Sequence, residues 1–339
     1  MHLLSKRSGR LAGPLVAAAT WSVLGIAGCN QNGTATMDMT NPGMDMGMLQ
    51  PPGPPTKAAS VATLDRPLAA VLTPDAKTVY VTAHDANGLA QLYSVPAAGG
   101  TPALISTSAP LFHPLSMAIS LDGGTLYIVD SAGGAEDAGA VYASNVGGAL
   151  GANAFTGVRG PAGVAVSADG KTVYVSGFDA TDGKPGVFSA GSTGGGVTVV
   201  AKGPPFSNPS AVTVTADGTV YVVDTTTSGP KQGGVIKVVG GAATLFTTQA
   251  LTDGFSAGIA PDGVGSNDLL VTGNTGLGSG VVYNVSTAGV AAPLSLGTTL
   301  FDPATIHRAA NVSAWVTVDS VNAAPTSPTQ QGSVYLLTP

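Results

Sequence analysis

The sequence has little charge, few aromatic residues and almost no cysteine. Charged residues occupy 9% of the 339 positions, aromatic residues occupy 5%, and there is one cysteine. A single thiol excludes a disulfide framework. The chain instead contains 48 glycines, and glycine-rich sequence without long helical periodicity is typical of a β-protein with many turns. We therefore predict an extracytoplasmic, turn-rich, all-β protein.

Basic residues are also scarce. The formal net charge is -6, and removal of residues 1–28, which contain three basic and no acidic residues, would make it -9. An acidic domain repels the phosphate backbone of nucleic acids. The composition therefore argues against nucleic acid as a partner.

The N-terminus has the organisation of a secretory signal. Lys6, Arg7 and Arg10 form a basic segment, followed by an apolar stretch at 11–24 that a Gly-Pro pair interrupts. The signal ends in Ile-Ala-Gly-Cys29, which resembles the lipobox of bacterial lipoproteins. That resemblance implies cleavage just before Cys29 and acylation of its thiol. The alternative is a cysteine that lies by chance beside an ordinary cleavage site.

Acylation of Cys29 would make this an anchored protein of the bacterial cell envelope. Two or more acyl chains, such as palmitate, give stable membrane anchoring. Asn30 follows the cysteine, and by resemblance to enterobacterial sorting the lack of Asp there favours the outer membrane. We expect a lipid-anchored protein that faces the periplasm or the cell surface.

Residues 29–59 lack apolar periodicity, and their polar, proline-rich composition predicts a disordered tether. This segment contains five closely spaced methionines: Met37, Met39, Met44, Met46 and Met48. Thioether sulfurs bind Cu(I), and the cluster resembles the methionine-rich motifs of periplasmic copper-handling proteins, although those usually contain His as well. The two hypotheses are copper binding and sequence drift in a tether under little constraint.

One phrase recurs through residues 60–339: an apolar strand, an Asp-Gly turn and a second strand. It is clearest at 164–176, Val-Ala-Val-Ser-Ala-Asp-Gly-Lys-Thr-Val-Tyr-Val-Ser. The units start 45 to 49 residues apart, at Pro67, Pro114, Pro161, Pro209, Gly254 and Pro303. A period of this length without a helical pattern indicates the blades of a β-propeller.

Each unit has room for four short strands. In the third unit we predict them at about 162–167, 172–177, 186–190 and 197–202. The sixth unit has room for only three, while one unassigned strand, 61–64, precedes the first unit. We therefore predict a six-bladed β-propeller of four-stranded antiparallel blades. The N-terminal strand would complete the C-terminal blade and so remove the exposed sheet edges.

The second strands carry a family resemblance. Tyr80-Val-Thr, Tyr174-Val-Ser and Tyr221-Val-Val-Asp resemble the YVTN and NHL classes of propeller repeat over residues 60–339. This resemblance implies the fold, but such propellers include interaction scaffolds, gluconolactonase-like hydrolases and streptogramin lyases. The gluconolactonase-like metal site contains Glu, Asn and Asp. The only glutamate in this chain, Glu136, falls in a Gly/Ala-rich loop, so that site does not carry over.

Polar residues concentrate in two sets of loops that share one face of a propeller. The loops before the unit-opening prolines, here called the pre-proline loops, contain the ligand-binding candidates Arg66, His113, Asn208 and Asp302. The candidate ligands for a divalent metal, Zn²⁺ or Ca²⁺, are His84, Asp85, His113 and Asp130. The alternative is that these are solvated loop residues and turn-capping aspartates. The Asp-Gly turns are expected on the opposite face, as scaffold.

The sixth unit breaks the pattern inside the channel. His307 and Arg308 occur where other units have small or apolar residues, Asn311 replaces the turn Asp, and Trp315 replaces the tyrosine. His307 is therefore predicted to point into the channel. It could be a buried histidine without a catalytic task, or a catalytic or ligand-binding one.

These features favour a non-enzymatic, monomeric scaffold that binds a protein, a glycan or a small ligand on its loop face. The sequence contains no HExxH and no phosphate loop. The first alternative is a channel-site hydrolase or lyase that uses His307 and Arg308, with His113 or Asp302 at the mouth. The second alternative is copper binding in the envelope through the tether.

Overall fold

The computed structural model describes residues 53–106, 111–134, 138–148, 150–151, 154–227, 232–247, 251–252, 258–275, 279–321 and 331–339. All of them belong to one compact unit, Gln50–Pro339. None of these described segments is a helix long and apolar enough to cross a membrane.

The described chain is built from short strands joined by tight turns. In chain order they are β1 (Lys57–Leu72), β2 (Thr78–His84), β3 (Ala90–Pro96), β4 (Ala103–Ser106), β5 (Pro114–Ile119), β6 (Thr125–Asp130), β7 (Ala140–Asn145), β8 (Phe155–Thr156), β9 (Val158–Val166), β10 (Thr172–Asp179), β11 (Pro185–Gly191), β12 (Gly195–Gly196), β13 (Thr198–Lys202), β14 (Pro209–Val214), β15 (Val220–Asp224), β16 (Gln232–Val239), β17 (Ala242–Leu245), β18 (Leu251–Thr252), β19 (Ile259–Pro261), β20 (Leu269–Asn274), β21 (Gly280–Val285), β22 (Ala291–Pro293), β23 (Pro303–Arg308), β24 (Trp315–Asp319) and β25 (Gln331–Thr338).

The strands form antiparallel sheets of four, the unit predicted from the sequence. The clearest are β9-β10-β11-β13, β14-β15-β16-β17 and β19-β20-β21-β22, while β5-β6-β7 has three described strands. A longer sheet has the order β23-β24-β25-β1-β2-β3-β4. The protein is thus an all-β propeller with four-stranded antiparallel blades.

β1 connects the two ends of the chain. Residues 57–65 pair with β25, and residues 65–72 pair with β2. Irregularities between Ser60 and Ala62 and around Pro67 accompany the change of partner, and such bulges bend a strand. The N-terminal strand therefore lies beside the C-terminal strand, and this is the pairing that the unassigned strand at 61–64 predicted.

The innermost strands surround a central channel. Each innermost strand contacts the next in the cyclic order β1, β5, β9, β14, β19, β23 and back to β1. Hydroxyl groups link neighbouring strands, since Ala70 N–H donates to Thr305 Oγ1 at 3.2 Å and Val164 N–H donates to Ser116 Oγ at 3.3 Å. These bonds satisfy backbone groups that a sheet edge would otherwise leave without partners.

The Asp-Gly turns share one hydrogen-bond pattern. In the third unit Ser167 Oγ donates to Asp169 Oδ1 at 2.6 Å, and Lys171 N–H donates to the same oxygen at 3.1 Å. Gly170 has a φ of +73°, whereas Ala76 holds the equivalent place in the first unit with a φ of +56°. The left-handed conformation is strained for alanine. The repeated phrase is therefore scaffold, as its sequence predicted.

Candidate functional site

A cavity of about 150 Å³ occupies the central channel. Side chains of the innermost strands form its walls, and most are small or apolar, such as Ala118, Ala165 and Val212. The walls continue into the turns that follow these strands, where Leu121 and Ser266 contribute. The cavity thus extends towards the face that carries the Asp-Gly turns.

This location differs from the loop face on which the sequence places its ligand-binding candidates. Among the described residues that line the cavity there is none of the pre-proline candidates Arg66, His113, Asn208 and Asp302. Each innermost strand runs from a pre-proline loop to an Asp-Gly turn, so those candidates stand at the far ends of the strands. The two channel candidates, His307 and Arg308, do line the cavity.

His307 contributes a neutral imidazole to the cavity wall. Its Nδ1 accepts a hydrogen bond from the Leu72 backbone N–H at 3.3 Å. Burial lowers the pKa of His307 to about 3, and the charge of Arg308 also lowers it. A neutral ring whose Nδ1 accepts a hydrogen bond carries its proton on Nε2. In this arrangement Nδ1 is already engaged, and Nε2–H is the donor that the ring has left.

Arg308 contributes a positive charge without an ion-pair partner. Its Nη1 donates to Ala309 O at 2.8 Å and to Ala310 O at 3.3 Å. No carboxylate of the described residues lies within 4.0 Å of it, and its buried Nε has no hydrogen-bond partner among them. Burial lowers the pKa of Arg308, while Asp262 raises it. Even so, guanidinium keeps its proton at neutral pH.

The remaining cavity residues supply no acid or base. The described lining contains no Asp, Glu, Cys, Lys or Tyr. Ser167 Oγ donates to a turn aspartate, and Ser116 Oγ accepts from a backbone N–H. Nucleophilic catalysis needs a hydroxyl or thiol paired with a base. Beside Arg308 and His307, the described lining thus offers hydroxyl groups and backbone groups as its polar contacts.

On the opposite face, buried aspartates hold the pre-proline loops. Asp130 accepts from the backbone N–H groups of Phe112 and His113 at 2.6 and 2.9 Å. The equivalent residues Asp224 and Asp319 hold the loops of Asn208 and Asp302 in the same way. A carboxylate that accepts several backbone N–H groups caps a turn. For Asp130 the structure therefore shows the turn-capping role that the sequence left open.

The side chains of two pre-proline candidates bond to the loops that follow the second strands of their blades. His113 Nδ1 lies 2.9 Å from Ser131 Oγ, and Asn208 Nδ2 donates to Thr225 Oγ1 at 2.7 Å. Burial raises the pKa of Asp302. Ligand binding by these residues stays a prediction.

Among the predicted metal ligands on this face, the two aspartates accept backbone hydrogen bonds, whereas His84 Nδ1 is buried without a hydrogen-bond partner in the described part of the chain. Asp85 accepts from the backbone N–H groups of Asn87 and Leu89 at 2.8 and 2.9 Å. Burial lowers the pKa of His84, as does the charge of Arg66. Within the described ranges, no three His, Cys, Asp or Glu side chains lie together in a way that could hold a metal ion. A Zn²⁺ or Ca²⁺ site here stays a prediction.

Several features of the sequence lie outside the described residues. They include the signal segment, the lipidation candidate Cys29, the methionine cluster from Met37 to Met48, Glu136, and Gly254 at the start of the fifth unit. The lipid anchor and the copper hypothesis therefore stay predictions.

The site contains two features that the sequence did not indicate correctly. The register pairs His307 with Val316, as it pairs Ala165 with Tyr174, so Val316 and not Trp315 replaces the tyrosine. Hydroxyl groups on the inner strands were also missed, although a Ser or Thr recurring inside apolar strands was the available signal.

Comparison with known proteins supports the fold. No family model matches the sequence, and no curated protein matches it. A protein assigned as TolB from Agrobacterium tumefaciens is 15% identical, with 84% of this chain and 99% of that chain covered and a TM-score of 0.55. A glucose dehydrogenase is 11% identical over 84% and 99% of the two chains, with a TM-score of 0.56. A gluconolactonase from Xanthomonas campestris is 12% identical over 86% and 98%, with a TM-score of 0.52. Identities this low show a β-propeller and no shared activity.

Proposed function

We propose that this protein is a lipid-anchored envelope protein whose six-bladed propeller binds a small ligand in its central channel without transforming it. The observation that carries the binding role is the hydrogen bond from Leu72 N–H to His307 Nδ1. It leaves His307 with a donor on Nε2, whereas a general base needs a free lone pair there. A hydrolase or lyase that used His307 as a base would have to give up this bond.

Six blades account for the described sheets apart from two short pairings, β8 with β12 and β16 with β18. The long sheet contains two of them, because the first half of β1 completes one blade and its second half begins the next. The sheets that begin with β5, β9, β14 and β19 are the other four. The cyclic contacts of the innermost strands support a closed ring.

The anchor depends on Cys29, at the end of the signal sequence. Cells that express the full chain would be fed labelled palmitate. We expect label in the wild-type protein, none in Cys29→Ser, and an unchanged amount in the control Thr40→Ala in the tether. Equal labelling of Cys29→Ser would refute the anchor, and a soluble wild-type protein would refute the envelope attachment.

The binding role is tested on the mature chain, residues 29–339, with Cys29→Ser to remove the acylation site. A thermal-shift screen of small acids, amines and neutral compounds should find a ligand that raises Tm, because a ligand that binds only the folded state stabilises it. Mass spectrometry should then recover that ligand unchanged. Product formation that disappears in His307→Gln would show instead that the protein is an enzyme.

A further inference from the structure

We infer that the channel cavity binds a small aliphatic carboxylate through Arg308 and His307. This inference rests on the proposed binding function and adds the chemical class of the ligand. It follows from the charge of the cavity, its donors, its size and the character of its walls.

The wall of the cavity carries a positive charge. Arg308 is the only charged residue among the described lining, where His307 is neutral. A partly buried cation is unfavourable unless it is paired, and here only backbone carbonyls accept from it. Asp262 acts on Arg308 only at a distance and forms no ion pair with it, so an anionic ligand would provide a direct partner, while a cation would be repelled.

The side-chain donors of the cavity wall include two residues of one strand. β23 contributes both Arg308 and His307. Guanidinium binds the two oxygens of a carboxylate well, and bonds of this kind are about twice as strong as neutral ones. The Nε2–H of His307 adds a neutral donor to the same cavity wall, since its other nitrogen is held by Leu72. Arg308 therefore supplies the charged contact to the carboxylate, and His307 supplies a second polar contact in the channel.

The channel cavity is small. The cavity volume is about 150 Å³. Cavities for drug-sized ligands measure roughly 300–1,000 Å³. The enclosed space thus suits a ligand, or a ligand group, of a few heavy atoms. Its other walls include Val212, Ile259 and Ile306, and such walls favour a short hydrocarbon chain.

Isothermal titration of the mature chain with Cys29→Ser provides the test, with isovalerate as the probe and isovaleramide as its neutral match. We expect isovalerate to bind. Isovaleramide should bind at least about tenfold more weakly, because the amide cannot form the charge-assisted hydrogen bond. Inorganic phosphate should also bind more weakly than isovalerate, because it gains nothing from the apolar walls.

Variants connect the binding to the residues. Arg308→Gln should weaken isovalerate binding about tenfold or more. The control Arg159→Gln, at an exposed position on β9 outside the cavity, should leave it unchanged. If Arg308→Gln does not fold, Arg308→Lys keeps the charge and should retain the preference for isovalerate over isovaleramide.

The outcomes separate this inference from the proposed function. Equal binding of isovalerate and isovaleramide, unchanged binding by Arg308→Gln, or no binding of isovalerate by the wild type would overturn the carboxylate assignment. Channel binding of a neutral or cationic ligand alone would overturn it too, but would leave the binding role intact. Conversion of a ligand into a product would overturn the binding role itself.

Discussion

Substitution of a buried aspartate at the end of a second strand should destabilise the protein strongly. Asp224 is fully buried and accepts from the backbone N–H groups of Ser207, Asn208 and Thr226 at 2.7, 2.9 and 3.1 Å. In Asp224→Ala all three donors lose their acceptor, and each unsatisfied buried donor costs about 1–3 kcal/mol. The loops are partly exposed, so water can replace some of these bonds. We therefore expect a loss near the lower end, about 3 kcal/mol in the free energy of unfolding.

Urea unfolding at pH 7 measures this loss. The matched control is Asp217→Ala in the same sheet, where an exposed turn carboxylate accepts from Thr215 Oγ1 and Thr219 N–H. Water can replace those bonds freely, so we expect a loss of about 1 kcal/mol or less. If Asp224→Ala were no more destabilised than Asp217→Ala, the pre-proline loops would not depend on their buried carboxylates.

Three further predictions concern charge and backbone strain. The pKa of His307 is about 3 in the folded protein and about 6.5 in an unfolded chain, so the unfolded chain binds the extra proton between those values. Stability should be full above about pH 6.5 and fall by up to about 2 kcal/mol at pH 5, and urea unfolding of His307→Gln should lose this dependence. Lys202 Nζ lies 2.5 Å from Asp179 Oδ2 and lowers the pKa of Asp179 to about 2. The stability from this pair is present above about pH 3.8 and lost as the pH falls through about 2. Carboxyl NMR of Lys202→Met should show that the pKa of Asp179 rises. An unchanged pKa would contradict the pairing. Ala76→Gly removes a strained φ of +56° and should stabilise the protein by up to about 1 kcal/mol, whereas a lower Tm would show that the turn is not strained.

The fold could be predicted largely because its signals are local. The strand-turn-strand phrase at 164–176 is recognisable without any distant contact, and the structure places β9 and β10 on either side of its Asp-Gly turn. The predicted strand at 172–177 became Thr172–Asp179, and that at 197–202 became Thr198–Lys202. Alternating burial and turn chemistry determine such elements within one unit.

The site was less predictable because it depends on contacts between distant residues. The break at His307 was visible in the sequence, but its tautomer depends on Leu72, which lies 235 residues away. The register of β24 was ambiguous because all five of its residues are buried, so polarity could not distinguish its two faces. The depth at which the channel opens into a cavity depends on all the inner strands together, and no single unit determines it.

The protonation of His307 tests the central claim most directly. Long-range ¹H–¹⁵N NMR of the imidazole distinguishes a proton on Nδ1, on Nε2 or on both. We predict a neutral ring with its proton on Nε2 at pH 7, unchanged down to pH 5, and a shifted Nε2 resonance when isovalerate is added. A proton on Nδ1, or an imidazolium at pH 7, would contradict the account of the channel as a binding site.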